Sequence, residues 1–479
     1  MQAASLFTVW AITAGGEILR SWLLTATMCL MTLPLLVGLE GTLLAMMLFE
    51  PLRGLLRRGQ YLIVDYTAQD PIHLLTPIVT FIALVALLRK EKLNIFWATP
   101  LAKSVSILAL IFFLEMFNPL QGSLFVGVSG ALFMLVPIAW FYFGQSVNES
   151  FIRKALALVV ILGILGSLYG VYQLVFGYPA FEQYWIDNTD FYSSIAVGHI
   201  HRALATFSSA EEWGRYAEVG AIVALGMALA GRRLIKRASW ALCAAALFTA
   251  ILLSGQRTAV FGFIVGAVAL ILLGARNWRR AVARLALLLL PFVLVTVFVT
   301  PPSDDEMWSK DESETVSTIL THTQRGTLKP AEEESLQIRF ENWGHLLTSV
   351  IPFRPLGAGL GTSQLGDLRE NRDSELAPVD NFILVVALAC GIPGALLFVW
   401  ILSRATWLSV RLARSNDANS ITPTHRIVAA IMPALILNSI FGLTFSIYSV
   451  APIAWLLIGW ISAETLRARE TPAREIITI

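Results

Sequence analysis

Three stretches of this chain carry residue types that can act on a charged substrate. The first is "LLSGQRTAVFGFIVGAVALILLG" (252–274), where Arg257 heads an apolar run long enough to enter a bilayer. A fixed cation there has two readings: it grips an anion, or it snorkels to the headgroups. The anion reading favours phosphate, because a guanidinium holds two oxygens at once and the helix N-terminus adds its positive dipole end. The second stretch is "SLQIRFENWGHLLTSVI" (335–351), in which Leu336, Phe340, Trp343, Leu347 and Val350 recur at helical spacing. Arg339 falls on the rim of that apolar stripe and His345 points roughly the opposite way. Arg339 is either a second anion ligand at the same mouth or a solvated rim charge. The third is "APVDNFILVVALACGIPGALLFVW" (377–400), which opens on Asp380 and Asn381. A carboxylate in that place is a paired helix N-cap or a general base.

Two further stretches are weaker signals. "HIHRALATFSSAEEWGRYAE" (199–218) supplies His199, His201, Arg202, Glu211, Glu212 and Arg215. Its His-x-His pair lacks two further convergent ligands, so no metal site is expected. "FRPLGAGLGTS" (353–363) resembles a nucleotide loop, but GxGxG alone is unspecific. A tight backbone turn that seats a loop is the better reading.

The elements that must position these residues are membrane helices. The chain has 479 residues, 56% of them hydrophobic, and its charged share of 14% falls well below the roughly 25% of a soluble protein. Its mean hydropathy is +0.69. The expected fold class is an all-α polytopic membrane protein of about twelve transmembrane helices, starting near residues 22, 71, 101, 124, 155, 216, 238, 258, 285, 379, 427 and 448. The stretch 22–50 contains Pro34 and Glu40, and reads as one kinked span or a short hairpin. The net charge of +2 points to no nucleic-acid partner, because the charges are sorted by membrane side. Cys29, Cys243 and Cys390 lie in apolar segments with no mutual spacing and read as core residues.

Lys/Arg bias orients the spans. "RKEK" (89–92), "RK" (153–154), "RRLIKR" (232–237), "ARNWRRAVAR" (275–284), "RATWLSVRLAR" (404–414) and the tail "RARETPARE" fall on one side, which puts both termini in the cytoplasm. "RGLLRR" (53–58) is then an exception, lying outside. The organisation expected is helices 1–5 over 1–176, an outer loop over 177–215, helices 6–9 over 216–301, a large outer loop over 302–378, helices 10–12 over 379–465 and a cytoplasmic tail over 466–479. The large loop holds 14 of the 33 acidic residues and is too long for a passive connection, so it is expected to carry structure of its own.

The order and spacing of these elements resemble the superfamily of O-antigen ligases and Wzy-type O-antigen and exopolysaccharide polymerases. The resemblance covers most of the chain. It rests on Ser254-x-x-Arg257 opening a helix, a basic loop and one further span, then a long outer loop with Arg339 shortly before Trp343 and "PLGAGLGT" beyond it. A polar-Asn pair then opens the next span, with "GIPG" at 391–394; "FNPLQGSL" (117–124) and "RALATFSSAEEWGRY" (202–216) also look like this family. The resemblance implies a GT-C-like fold in the bacterial inner membrane. It implies glycosyl transfer from a polyprenyl-diphosphate-linked oligosaccharide, with no cofactor and no required metal, beside a chain-length regulator and a flippase. It gives Arg257 and Arg339 to the diphosphate; Arg202, Arg215 and Asn381 are expected to join them in the substrate-binding set, and Asp380 either deprotonates an acceptor hydroxyl or orients Arg339. Ligases of the superfamily place a histidine where this chain has Asp380, and that departure favours the polymerase branch over transfer of finished glycan to a lipid or protein acceptor. A transporter or flippase, the alternative of another class, usually keeps charges or broken helices near the midplane rather than at the surface.

Overall fold

The computed structural model describes residues 18, 20–62, 70–188, 196–197, 200–275, 277, 279, 281–286, 319, 334–362, 379–414 and 422–477. Among these, regular structure is helical apart from two-residue strands β1 (Ala196–Val197) and β2 (Ile200–His201), which pair antiparallel. The first apolar stretch is neither a single kinked span nor a plain hairpin. It breaks at Val37-Gly38 into α1 (Arg20–Leu36, its last turn 3-10 and carrying Pro34) and α2 (Leu39–Gln60). Then come α3 (Leu75–Glu91), α4 (Ala102–Glu115), α5 (Leu124–Met134), α6 (Ala139–Ser146), α7 (Glu149–Phe176) and α8 (Ala180–Asn188). The second half supplies α9 (Ala210–Ala230), α10 (Leu234–Leu253), α11 (Arg257–Gly274), α12 (Glu334–His345), α13 (Phe382–Ala413), α14 (Pro423–Ile440) and α15 (Ala451–Ile477). Of the span expected near 285, most lies outside the described residues.

The molecule is a multi-pass membrane protein. Among the described residues, six helices are long and apolar enough to cross a bilayer by length and composition: Pro71–Glu91, Leu124–Ser146, Glu149–Phe176, Leu234–Leu253, Arg257–Gly274 and Phe382–Ala413. Others of the expected spans carry charge into the bundle. In α2, Glu50, Arg53, Arg57 and Arg58 are all buried, and in α9 so are Glu212, Arg215 and Glu218. Small residues allow the tightest helix contacts. A side chain at Gly144 of α6 would meet the Leu456 backbone, and one at Gly459 of α15 would meet Phe141, so these two helices touch backbone to backbone around Trp140 and Trp460.

Helix α13 is broken at Gly391, whose φ of 70° lies in the left-handed region, two residues before Pro393. A break inside a bilayer strands backbone groups, and here the "PLGAGLG" loop supplies their partners. Ala358 N–H donates to Leu388 C=O at 2.8 Å, Gly359 N–H to Ala389 C=O at 3.1 Å, and Ile392 N–H to Pro355 C=O at 3.0 Å. Gly361 N–H donates to Gln121 Oε1 at 3.3 Å, so "FNPLQGSL" packs on the far side of the same loop. The glycines therefore serve a backbone plug, as the sequence suggests, and the plug fixes where α12 leaves the bundle.

Candidate active site

The "SGQR" stretch is a two-helix corner. The Ser254 hydroxyl donates to Ile251 C=O at 2.7 Å and accepts from Gln256 N–H at 3.3 Å, while Gly255 takes a φ of 69° that reverses the chain. Helix α11 starts at Arg257. A side chain at Gly214 would collide with Ser254 and Gln256, so the first turn of α9 lies directly on this corner. Ser209 caps that turn by accepting from Glu212 N–H at 3.1 Å. Glu212 in turn accepts from Ser208 N–H at 2.9 Å and Ser449 N–H at 3.3 Å.

Arg215, one turn into α9, has a side chain only 1% exposed. Its Nε donates to Glu211 Oε1 at 2.9 Å, and its Nη2 reaches Thr258 Oγ1 at 3.3 Å and Phe441 C=O at 3.4 Å. One guanidinium thus ties α9 to the first turn of α11 and to the end of α14. Gly442 makes this possible, since any side chain there would strike Arg215. Phe441 also stacks on Trp343 of α12, with ring centroids 5.6 Å apart, which seats the helix that carries Arg339.

The periodicity of α12 holds only as far as Trp343. Residues Leu346–Val350 form a π-helical turn, and the extra residue rotates the register. Leu346 and Val350 are buried against the protein, while Phe340 and Leu347 of the stripe face away from it. Arg339 remains on the rim and meets Asp380: Nη2 to Oδ2 is 2.9 Å, with the two side chains 35% and 45% exposed.

Asp380 lies ahead of α13 and is not its cap. Asn381 takes that role, its Oδ1 accepting from Leu384 N–H at 3.1 Å, and Phe382 N–H donates across to Gly442 C=O at 3.1 Å. Asp380 is left to face cations. Burial pushes its carboxyl above the ordinary aspartate range; Arg339 opposes that shift, Glu211 adds to it and Arg215 opposes it. Arg202 shares the same field. Burial lowers its pKa first, then repulsion from Arg257, with Glu211 raising it and Arg339 lowering it again. The chain folds Arg202 within electrostatic reach of Arg257, Arg339 and Glu211, and Arg339 against Asp380. Such a cluster of cations at one mouth suits a ligand with more than one negative charge.

Residues 241–399 match the family model described as O-antigen ligase. The chain carries an O-antigen ligase domain. No curated protein matches the chain. The O-antigen ligase domain contains Arg257, Arg339, Asp380 and Asn381, whereas Arg202 and Arg215 come from the segment before it. The match, over about a third of the chain, supports the O-antigen ligase and Wzy-type superfamily and suggests a glycan-transferase type of enzyme.

The exception "RGLLRR" is part of the same end of the bundle. Arg58 Nε donates to Glu182 Oε1 at 2.7 Å, and its two terminal nitrogens donate to Phe207 C=O at 2.6 Å and Ala205 C=O at 2.5 Å. Arg53 lies 3.4 Å from Glu50, 3.8 Å from Glu212 and over the Tyr448 ring, while Arg57 lies 3.7 Å from Asp70 and over Trp185. These arginines are structural counter-ions of Glu50, Asp70, Glu182 and Glu212, which the sequence reading missed. Its signal was there: a basic cluster on the wrong side of the charge bias, with acidic residues in the facing loop. His201 sits on β2, and His199 lies outside the described residues.

Proposed function

We propose that this protein is a bacterial surface-polysaccharide polymerase that transfers a growing glycan from polyprenyl diphosphate onto the next lipid-linked repeat unit. The work is done at the outer face of the inner membrane, with both termini and the tail in the cytoplasm and the 177–215 and 302–378 segments outside. The observation that carries the reading is the Arg339–Asp380 contact at 2.9 Å, with Arg202 in the electrostatic field of Arg257 and Arg339. In this reading Arg257 and Arg339 grip the diphosphate and Arg202 completes the cation set. Arg215 holds Glu211 and the Thr258 turn in register, and Asn381 fixes the head of α13 beside the acceptor.

The Arg339–Asp380 pair then works as a latch. A donor diphosphate competes for Arg339 and releases the carboxylate. The acceptor hydroxyl oxygen attacks the anomeric carbon, the bond from that carbon to the diphosphate oxygen breaks, and its electron pair leaves with the lipid. Asp380 takes the hydroxyl proton. The arginines stabilise the negative charge that grows on the leaving group. A flippase and a chain-length regulator are the partners this chemistry implies.

Ligase-type transfer to a lipid or protein acceptor is the second reading, and the family match is common to both. Asp380, where ligases carry a histidine, favours polymerisation. The test is purified protein given lipid-linked repeat units alone. Ladders of increasing length are expected, and Arg257→Ala and Arg339→Ala should each reduce their formation on the order of a hundredfold, with Lys restoring part of it. Transfer only when a lipid-A-core acceptor is added would overturn polymerisation in favour of ligation. Full ladders from either alanine variant would remove that arginine from the site.

A further inference from the structure

Ala205 is the one non-glycine residue with left-handed backbone among the described residues, at φ 53°. A Cβ disfavours that conformation, so it persists only where surrounding contacts over-determine it. Here they do. Gln173 Oε1, from α7, accepts from Ala205 N–H at 2.7 Å, and Gln173 Nε2 approaches Ala205 C=O at 3.4 Å. Arg58, from α2, donates to the same carbonyl and to that of Phe207, while Leu55 N–H donates to Thr206 C=O at 2.8 Å. Both clamping side chains are themselves fixed by one buried carboxylate: Glu182 takes Arg58 at 2.7 Å and Gln173 at 2.8 Å. Two helices distant in sequence thus grip a single strained turn.

Arg202 lies three residues before that turn. The Tyr178 hydroxyl donates to its carbonyl, which fixes its backbone from the other side. Its side chain does not join the clamp, and no described residue accepts from its buried Nε. A buried, unpartnered guanidinium nitrogen in the field of Arg257 and Arg339, on a backbone held this firmly, is built for a ligand that arrives later.

We propose that the Ala205 turn, clamped by Gln173 and Arg58, is a positioning device that holds Arg202 against the donor's diphosphate. Ala205, Gln173 and Arg58 touch no substrate; they act through Arg202. The inference rests on the reading that the arginine cluster binds a lipid diphosphate, and it adds residues that the matched domain does not contain.

The test measures binding of polyprenyl diphosphate to the full-length protein in nanodiscs, with the melting temperature recorded for each variant. Ala205→Gly keeps access to the left-handed region without a Cβ and should bind within about twofold of the wild type. Ala205→Val, β-branched and excluded from that region, should weaken binding about tenfold or more, and Gln173→Leu should do so as a second route to the same turn. The decisive readout is a double-mutant cycle. In an Arg202→Ala background, Ala205→Val and Gln173→Leu should add less than about twofold. Full additivity in that background would show a general structural role and overturn the positioning claim. Wild-type affinity in both Ala205→Val and Gln173→Leu would overturn it as well. Should the valine variant not fold, the leucine variant and its cycle decide alone. Unchanged binding in Arg257→Ala would instead take down the diphosphate reading, and this inference with it, whereas weakened Arg257→Ala with additive cycles removes only the positioning claim.

Discussion

Arg58→Ala separates a counter-ion from a topological charge. The Arg58 side chain is 1% exposed and Glu182 is fully buried. Removing the guanidinium leaves Glu182 with only Tyr169 at 3.1 Å and Gln173 at 2.8 Å as described donors, and leaves the Phe207 carbonyl without its Arg58 donor. Gln173 still reaches the Ala205 carbonyl, so that group is partly served. Breaking a buried pair from one side costs about 3–5 kcal/mol and a stranded carbonyl about 1–3 more, together roughly 4–8 kcal/mol. That is a large share of the roughly 5–15 kcal/mol that holds a typical domain together. The melting temperature in detergent, followed by size-exclusion chromatography after heating, should fall by on the order of ten degrees or more. Arg58→Lys should recover little, because an ammonium cannot reach three acceptors at once. Arg58→Met with Glu182→Met should recover more than either single change, since an apolar pair leaves no uncompensated buried charge. An Arg58→Ala protein that melts within two degrees or so of the wild type, or a lysine variant indistinguishable from it, would refute the burial reasoning and return "RGLLRR" to the headgroups.

Asp380 gives a pH prediction. A base must be ionised, and burial raises this carboxyl, so the rate should fall as pH drops through a limb lying above the ordinary aspartate value of 3.8. Arg339 pulls that pKa down, so a residual rate in Arg339→Ala should show the limb displaced to still higher pH. Asp380→Asn should bind donor but not transfer, and Asp380→His should keep some activity; wild-type polymer from the asparagine variant would leave the carboxylate a mere partner of Arg339. Sidedness is checked with single cysteines at Ser335 and Ser415 in a cysteine-free background, probed on spheroplasts with an impermeant thiol reagent. Labelling at 335 and not at 415 is expected, and the reverse would invert the arrangement.

Much of this molecule is written locally. Hydropathy over about twenty residues is set by each segment alone, because lipid demands that every spanning helix satisfy its own backbone. The described span starts therefore fall on helices or, near 101, 379 and 448, one to three residues before them, and the "SGQR" corner and the glycine-rich plug follow from local backbone needs. Other features depend on partners brought from far along the chain. Either Asp380 or Asn381 can cap a helix by residue type; the cap went to Asn381 because α12 delivers Arg339 to within 2.9 Å of Asp380. The stripe on α12 reads as one α-helical period, whereas Leu346–Val350 close as a π turn in which Leu346 joins Val350 in the core. "RGLLRR" is ambiguous by composition, since a guanidinium is equally at home among headgroups or in a buried pair. For Arg58 it is Glu182, more than a hundred residues away, that decides which, because a buried charge takes its identity from the counter-ion that the fold places beside it.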